Sequence, residues 1–292
     1  MVYHENREYK SGFPIHATVF KNINFLAHWH SEIEIALVCE GNLTMSINCE
    51  TKVLEKGDIA ICTGGDIHYY DKKNTDSTVL IIVFRPELID KIVKLPSGLH
   101  FSYPFIDKST ISGLGLSVND IDEMKACINY IYREIQRQDT HYQILVASRL
   151  IELIGLFLRH LPQQPIERDN YDTAGGSIRL IQKAIKFIEH NYLYSISLQD
   201  VSNHLGISPA YFSKIFNKIT GQNFKAYLNT IRIEKVNNLL KSSPDPIIDI
   251  AYGCGFNSIR TFNRVYKSIK GYSPSDIRLS IMKQKDPLRI NM

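Results

Sequence analysis

The sequence predicts an α+β chain of two domains: a strand-rich N-terminal β-barrel with a helical pair appended, and an all-α C-terminal domain built on two helix-turn-helix units. Three observations carry that expectation. The apolar period changes from two to about 3.6 near residue 119, a polar, Pro- and Gly-containing stretch interrupts the pattern at 162–176, and charge divides unevenly across it. Residues 1–175 hold 17 Lys/Arg against 23 Asp/Glu, net −6, whereas residues 176–292 hold 17 against 7, net +10. A basic part carried by a mildly acidic one implies a polyanion partner for the former alone, with nucleic acid the first candidate. Hydrophobic content of 44% and charged content of 22% over 292 residues exclude disordered and collagen-like classes. The polar start, Met1-Val-Tyr-His-Glu-Asn-Arg-Glu, lacks an apolar core with a cleavage site, and the most apolar window, Ile144 to Leu161, is broken by Arg149, Glu152 and Arg159. The expectation is a cytoplasmic chain with no membrane partner. Its 5 cysteines show no CxxC or zinc spacing, and Cys39, Cys49, Cys62 and Cys127 read as small buried residues.

From Thr18 to Phe84 the apolar residues alternate or form short β-branched runs: Ile33-Glu-Ile-Ala-Leu-Val, Leu43-Thr-Met-Ser-Ile, Asp58-Ile-Ala-Ile-Cys and Thr78-Val-Leu-Ile-Ile-Val-Phe. Gly41-Asn42, Gly57-Asp58 and Gly64-Gly65 punctuate them, which gives short strands joined by tight turns. A set of this kind closes into a barrel or a sandwich, and the barrel is assigned to about 15–90. Ile121, Met124, Ile128, Ile131 and Ile135, then Ile144, Leu145, Ser148, Leu150, Ile151, Ile154 and Leu158, fall at helical spacing on either side of a Gln138-Asp-Thr-His break. They predict an antiparallel helix pair over about 118–161, which completes a domain of residues 1–161. Its apolar stripe either covers the barrel or meets a second copy.

After the linker at 162–176, residues 177–285 read as helices over 177–192, 198–205, 209–219, 222–241, 246–254, 258–269 and 274–283. Ser208, Ser258 and Ser273 stand as N-caps, Pro209 and Pro274 occupy first helical positions, and Gly206, Gly221, Gly255 and Gly271 act as stops. A segment recurs within this domain. Asp200 to Gly221 lies against Asp249 to Gly271 at an offset of 49 before the turn and 50 after it, so that Gly206/Gly255, Ser208/Ser258, Phe212/Phe262, Lys214/Arg264, Phe216/Tyr266 and Gly221/Gly271 coincide. Each copy, about 198–219 and 246–269, is a helix, a Gly-containing turn and a second helix opened by serine. In the second helix the aromatics at i and i+4 pack inward, leaving Ala210, Ser213 and Lys214, and Arg260, Asn263 and Arg264, facing out. Arg or Lys reads guanine and Asn reads adenine in a major groove. Ser208 and Ser258 open helix N-termini to phosphate, and Lys218 and Lys267 are placed to meet the sugar-phosphate backbone. Two such helices, joined by the long helix 222–241, are expected about 34 Å apart, one turn of duplex.

Residues from about 180 to 280 resemble the DNA-binding domain of AraC/XylS-type transcription regulators. The residues that carry the resemblance are Ile250-Ala251, Gly255-Phe256, Ser258, Phe262, Arg264, Tyr266-Lys267, Gly271, Pro274 and Arg278, together with Leu198, Ser208, Tyr211-Phe212, Phe216, Gly221, Phe224, Tyr227 and Arg232-Ile233 in the first unit. Ser202 and Val236 stand where the family usually has Ala, and Tyr266 where it has Phe. The resemblance implies that Ala210, Ser213, Lys214, Arg260, Asn263 and Arg264 approach bases. Ala210 and Ser213 are short, so the first unit is expected to read less sequence directly than the second.

In the N-terminal half, His28-Trp-His30-x3-Glu34-x6-Gly41, followed by Gly57 and His68, is similar to the two motifs of the cupin barrel, with His28, His30, Glu34 and His68 at the positions that bind metal in cupin enzymes. Asn22 and Thr63 stand where that pattern has Gly and Pro, and Lys72 where it has Asn. Sensor domains of the AraC type also resemble this half-barrel. Three roles stay open for the four residues: with Tyr70 they line a ligand pocket, they finish strand ends in a polar rim, or they bind iron, manganese or zinc. Trp29 alternates with the two histidines and points the other way. The resemblance implies a regulator that binds double-stranded promoter DNA under control of a small molecule, a sugar or related catabolite, with no cofactor. It further implies RNA polymerase as a partner and a homodimer through 118–161, with Ile128, Ile131, Ile135, Leu150, Ile154 and Leu158 as candidate knobs. The rival expectations are a metal-dependent cupin enzyme fused to a nucleic-acid-binding domain, and a regulator that senses a protein partner.

Overall fold

The fold follows from two strand-rich layers in the first half and a helical spine in the second. The computed structural model describes residues 9, 12–71, 76–90, 92, 95, 99–163 and 174–285. Residues 164–173, most of the expected linker, lie outside the described residues, as does Lys72. The chain divides into two units at Arg179/Leu180.

The N-terminal unit contains β1 (Ile15–Lys21), β2 (Phe25–His28), β3 (Ile33–Gly41), β4 (Leu43–Ile47), β5 (Glu50–Leu54), β6 (Ile59–Cys62), β7 (His68–Tyr70), β8 (Ser77–Phe84), α1 (Glu87–Asp90), β9 (Phe105–Ile106), α2 (Lys108–Leu114), α3 (Val118–Arg137) and α4 (Tyr142–His160). The strands form two sheets, in the orders β1-β8-β3-β6-β9 and β2-β7-β4-β5. The expected barrel is corrected here: the sheets do not close. Among the described residues every ladder joins strands of one sheet, so β1, β9, β2 and β5 remain edges and the two layers are held together by side chains.

The pleat explains the apolar runs. Along β3 and β8, Ala36, Val38, Val79, Ile81 and Val83 enter one core with Leu43, Met45, Ile47 and Leu54 of the smaller sheet. The alternate residues Ile33, Ile35, Leu37, Leu80, Ile82 and Phe84 enter a second core with residues of α3 and α4. Both faces of these strands are covered, so they carry continuous apolar sequence in place of alternation. The helical stripe thereby finds its partner. Ile128, Ile131, Leu150 and Ile154 are buried in the second core, and Ile135 and Leu158 pack against it. Four of the six candidate knobs, Ile128, Ile131, Leu150 and Ile154, are therefore committed to the core of their own unit, whereas Ile135 and Leu158 are half-buried. α3 opens with a capping box between Ser117 and Asp120 and ends at Gln138 in the left-handed region.

The cysteine expectation holds in part. Cys62 and Cys127 are buried, but Cys39 is half-buried and Cys49 is exposed. Cys49 follows Asn48, whose φ of 55° makes the tight β4–β5 turn, and a turn tip lies at the surface.

The C-terminal unit holds α5 (Ala174–Asn191), α6 (Leu198–Leu205), α7 (Pro209–Thr220), α8 (Phe224–Ser242), α9 (Ile247–Gly253), α10 (Ile259–Lys270) and α11 (Pro274–Lys285). α8 buries Phe224, Tyr227, Leu228, Ile231, Ile233, Val236 and Leu240, which are spread around its circumference because α7, α9, α10 and α11 all pack on it. Ser208 and Ser258 accept from the backbone N–H of Tyr211 and Thr261, as caps should, and Ser273 and Asp276 cap α11 reciprocally. Among the described residues no helix is long and apolar enough to cross a membrane.

One turn allows no side chain. Gly255 has φ +86°, and a Cβ there would stand 2.5 Å from the Tyr192 carbonyl oxygen and 2.9 Å from that of Leu193. Gly255→Ala is expected to destabilise the C-terminal unit by about 2 kcal/mol or more, from left-handed strain and displacement of a backbone carbonyl together. Gly155→Ala, within α4 and with no neighbour inside 4 Å of its Cβ, should instead stabilise by about 0.5–1 kcal/mol. Urea unfolding of both variants checks the pair; equal midpoints would contradict this account of the turn.

Candidate nucleic-acid interface and ligand pocket

The second helix of each helix-turn-helix unit is fixed from behind by aromatic rings. On α7, Phe212 and Phe216 are fully buried with centroids 5.2 Å apart, and Phe216 meets Tyr227 of α8 edge-on at 5.3 Å. On α10, Phe262 and Tyr266 are fully buried at 5.7 Å, and the Tyr266 hydroxyl donates to Asn237 Oδ1 of α8 at 3.0 Å. With those faces inward, the opposite faces are set. Ala210, Lys214 and Lys218 are exposed on α7, with Ser213 half-buried, and Arg260, Asn263, Arg264 and Lys267 are exposed on α10. The Oγ atoms of Ser208 and Ser258 are engaged by their own helices, at 3.3 and 3.4 Å. What these N-termini offer an anion is the remaining backbone N–H groups.

Two arginines have an internal role that spacing did not reveal. Arg232 donates from Nε to the Tyr192 carbonyl at 2.8 Å and from Nη2 to that of Tyr194 at 2.7 Å. Arg278 donates from Nη1 and Nη2 to the carbonyls of Ser243 and Asp245, at 2.7 and 2.8 Å. Each guanidinium ties down a loop through a planar pair of donors. Thr261 and Asn257 share the exposed N-terminal rim of α10, and no sequence period singled them out.

In the N-terminal unit the structure brings His28, His30, Glu34 and His68 together, and none is more than 2% exposed. Strand ends in a polar rim would be wetter than this, so that reading falls. One ligand atom from each lies within 4.8 Å of the others. β2 and β7 pair His28 with His68, and β3 supplies Glu34 opposite Cys62 of β6. Each imidazole is anchored through Nδ1 to a carbonyl two residues away, Leu26 at 2.9 Å, Glu32 at 3.1 Å and Asp66 at 3.0 Å. Glu34 Oε1 accepts from the buried Tyr70 hydroxyl at 2.6 Å. His30 Nε2 and His68 Nε2 each stand 3.4 Å from a Glu34 oxygen.

Burial disfavours charge throughout this cluster. It holds His28 well below the usual imidazole range, and His68 and His30 push the same way. His68 overcomes burial and lies well above that range because of Cys62 and Glu34. Glu34 likewise overcomes burial and lies well below the carboxylate range, chiefly through His68. Burial pushes the Cys62 thiol up to about 11. Spacing missed Cys62, although its register opposite Glu34 places it beside the cluster. Sequence also did not show Asp66, which is buried and accepts from Asn48 Nδ2 at 2.8 Å, from Thr63 N at 2.7 Å and from Thr63 Oγ1 at 2.8 Å, and pairs with His100 at 3.0 Å. That network fixes the entry to β7 and hence His68. Tyr70→Phe removes the buried bond to Glu34 and should cost about 1–3 kcal/mol in unfolding free energy. Tyr69→Phe, whose hydroxyl is 3.5 Å from Thr51 Oγ1 in an exposed contact, should change stability little; a Tyr70→Phe cost no larger than that of Tyr69→Phe would contradict the assignment.

Comparison with known proteins agrees with this division. Residues 15–154 match the AraC-like ligand binding domain, and residues 201–280 match a helix-turn-helix domain. The melibiose operon regulatory protein of Escherichia coli K12 is 23% identical over 263 residues, covering 86% of this chain and 83% of its own length. The HTH-type transcriptional activator RhaS of Escherichia fergusonii is 22% identical over 261 residues, covering 87% of each. The solved structure of ToxT from Vibrio cholerae covers 91% of this chain and 98% of its own at 15% identity, with a TM-score of 0.42. With the ligand-binding domain and the helix-turn-helix domain matched in that order, the chain belongs to the AraC family of transcription regulators.

Proposed function

We propose that the chain is a sequence-specific promoter-binding regulator, and not an enzyme, whose N-terminal pocket takes a small polyhydroxyl molecule, a sugar or related catabolite. The observation that carries the DNA half is the exposed trio Arg260, Asn263 and Arg264 on α10, held outward by the burial of Phe262 and Tyr266. α10 reads bases with these side chains, Arg to guanine and Asn to adenine. α7 contributes Lys214 beside the short Ala210 and Ser213, so it discriminates less. Lys218, Lys267 and the helix N-termini at Ser208 and Ser258 hold the phosphates. Together the two helices take consecutive major-groove segments about one turn apart.

The sensing half is supported by the polar groups buried between the two apolar sheets: His28, His30, Glu34, His68 and Tyr70 offer hydrogen-bond donors and acceptors of the kind that hydroxyl groups take. The melibiose operon regulatory protein, whose name carries a sugar operon, supports the effector class. A bound effector acts by favouring one arrangement of the domains over another, which requires a difference in affinity between them. A cytoplasmic homodimer contacting RNA polymerase completes the reading. Since the apolar stripe of α3 and α4 is spent on the sheet, dimerisation through 118–161 would use outward residues such as Ile144 and Leu145, 67% and 42% exposed.

Gel-shift titration on a fragment selected from random duplexes by the wild-type protein tests the DNA half. Arg264→Glu should weaken binding at least about 100-fold with an unchanged melting temperature, because a base contact worth about 1–3 kcal/mol is replaced by repulsion. Lys267→Ala should weaken binding evenly across sequences and lower the salt slope by about one. Unchanged affinity in Arg264→Glu would refute the interface. Thermal unfolding against a sugar panel tests the effector, since a ligand at 100 times its dissociation constant adds about 2.7 kcal/mol to the native state.

A further inference from the structure

His30 and His68 share one seat, the loop 63–67 between β6 and β7. The Asp66 carbonyl holds His68 through Nδ1 at 3.0 Å, and the Gly65 N–H donates to the His30 carbonyl at 2.9 Å. The loop is cross-linked within itself. The Asp66 N–H donates to the Thr63 carbonyl at 3.0 Å, the Asp66 carboxylate accepts from the N–H and the hydroxyl of Thr63, and Asn48 of the β4–β5 turn donates to the same carboxylate. Gly64 lies so close to the β2–β3 connection that a Cβ there would stand 2.7 Å from the Ser31 carbonyl oxygen. A group that displaces His30 or His68 therefore moves the loop as one piece, because close-packed and cross-linked elements transmit strain instead of absorbing it.

This loop is also met from outside the pocket. Asp66 Oδ1 pairs with His100 Nδ1 at 3.0 Å, and the residues that follow His100 are tied to the start of the linker. Phe101 forms an antiparallel bridge with Gln163, and the Ser102 N–H donates to the Pro162 carbonyl at 3.0 Å. Pro162 and Gln163 are the first two residues of the linker stretch 162–176. Phe101 is 2% exposed and lies 6.4 Å from Phe157 of α4 between ring centroids, so the bridge stands on packed side chains. Farther along, the Pro104 carbonyl accepts from the Ile61 N–H at 2.8 Å, and β9 pairs with β6. Segment 99–106 thus touches the pocket loop at one end, the larger sheet at the other, and the root of the linker between them. Asp66, His100 and Phe101 are the only steps from His68 to Gln163 along this route.

We infer that segment 99–106 carries the state of the effector pocket to the linker, with His100 as the positioning residue. A group that engages His68 shifts the Asp66 loop, His100 follows its carboxylate partner, and the pairing of Phe101 and Ser102 with Gln163 and Pro162 changes in turn. Coupling of this kind needs contiguous contacts between the two places, and each contact of this chain is present. The inference rests on the sensing function proposed above and adds how that function leaves the N-terminal unit.

The test is a double-variant cycle on the full chain, read by gel-shift titration on the fragment selected by the wild-type protein. His68→Gln stands in for a changed pocket, and in the wild-type background it should alter affinity by at least about fivefold, the lower end of coupling between distinct sites. In the His100→Ala background the same substitution should alter it by a smaller factor, since the route is already cut. His100→Asn, whose amide still faces Asp66, should restore the larger factor. His160→Ala, which removes the 3.6 Å pair with Asp120 between α4 and α3, should leave the larger factor intact. An equal factor in the wild-type and His100→Ala backgrounds overturns the route while the sensing function stands. No change from His68→Gln in either background contradicts the sensing function, and the route falls with it. A second measurement does not depend on how well the pocket variant folds. Coupling is reciprocal, so saturating the wild-type protein with the fragment should alter amide hydrogen exchange in 63–68, and His100→Ala should abolish that response. Exchange in 63–68 that ignores the fragment, or that responds equally in His100→Ala, overturns the route.

Discussion

The packing of two aromatic pairs against one helix fixes the C-terminal unit. Phe212 and Phe216 of α7, and Phe262 and Tyr266 of α10, are fully buried against α8 or its neighbours. Each aromatic side chain removed from water contributes about 1.5–3 kcal/mol, so rotating either helix about its axis would forfeit most of its tertiary stabilisation. Orientation is therefore decided by apolar burial, and the exposed cations are carried along. α8 serves both helix-turn-helix units by being apolar on more than one side, Arg232 holds the loop between α5 and α6, and Arg278 of α11 holds the loop between α8 and α9.

The N-terminal unit works by a related partition across a pleated sheet. β3 and β8 send alternate residues to the helical layer and to the second sheet, and their rigidity is what permits four polar side chains to be held in a dry space. Glu34 lies on β3 between Ile33 and Ile35, so its position is as fixed as theirs. The backbone carbonyls of Leu26, Glu32 and Asp66 then orient the imidazoles. Enclosing such groups is costly unless they are paired, and here each imidazole bonds a backbone carbonyl while Glu34 accepts from Tyr70 and meets His30 and His68.

Local chemistry made much of this legible. Seven C-terminal helices follow from the 3.6-residue period and from Ser208, Ser258 and Ser273 as caps, because caps and stops are set by residues within one turn. The spacing His28-x-His30-x3-Glu34 named residues that the structure brings together, although His28 ends β2, His30 lies between strands and Glu34 is on β3 of the other sheet, so alternation along one strand does not account for it. What spacing could not carry is pairing at a distance. Closure of the sheets depends on ladders between edge strands, and β9, a two-residue strand at Phe105–Ile106, gives no periodic signal. An apolar stripe states that a helix face is covered and not by what, so Ile128 and Ile154 could be read as knobs for a second copy when they face their own sheet. The Asp66 network draws on Asn48, Thr63 and His100, which are too far apart in sequence for any motif to link them.

The central claim is that one chain presents two reading helices to consecutive turns of duplex. Hydroxyl-radical footprinting combined with guanine-methylation interference, on a fragment selected by the wild-type protein, addresses it most directly. The account predicts two major-groove segments per chain with centres about 10–10.5 base pairs apart, and the stronger interference at the segment lost in Arg264→Ala. A single protected segment per chain, or interference that Arg264→Ala leaves in place, would contradict it.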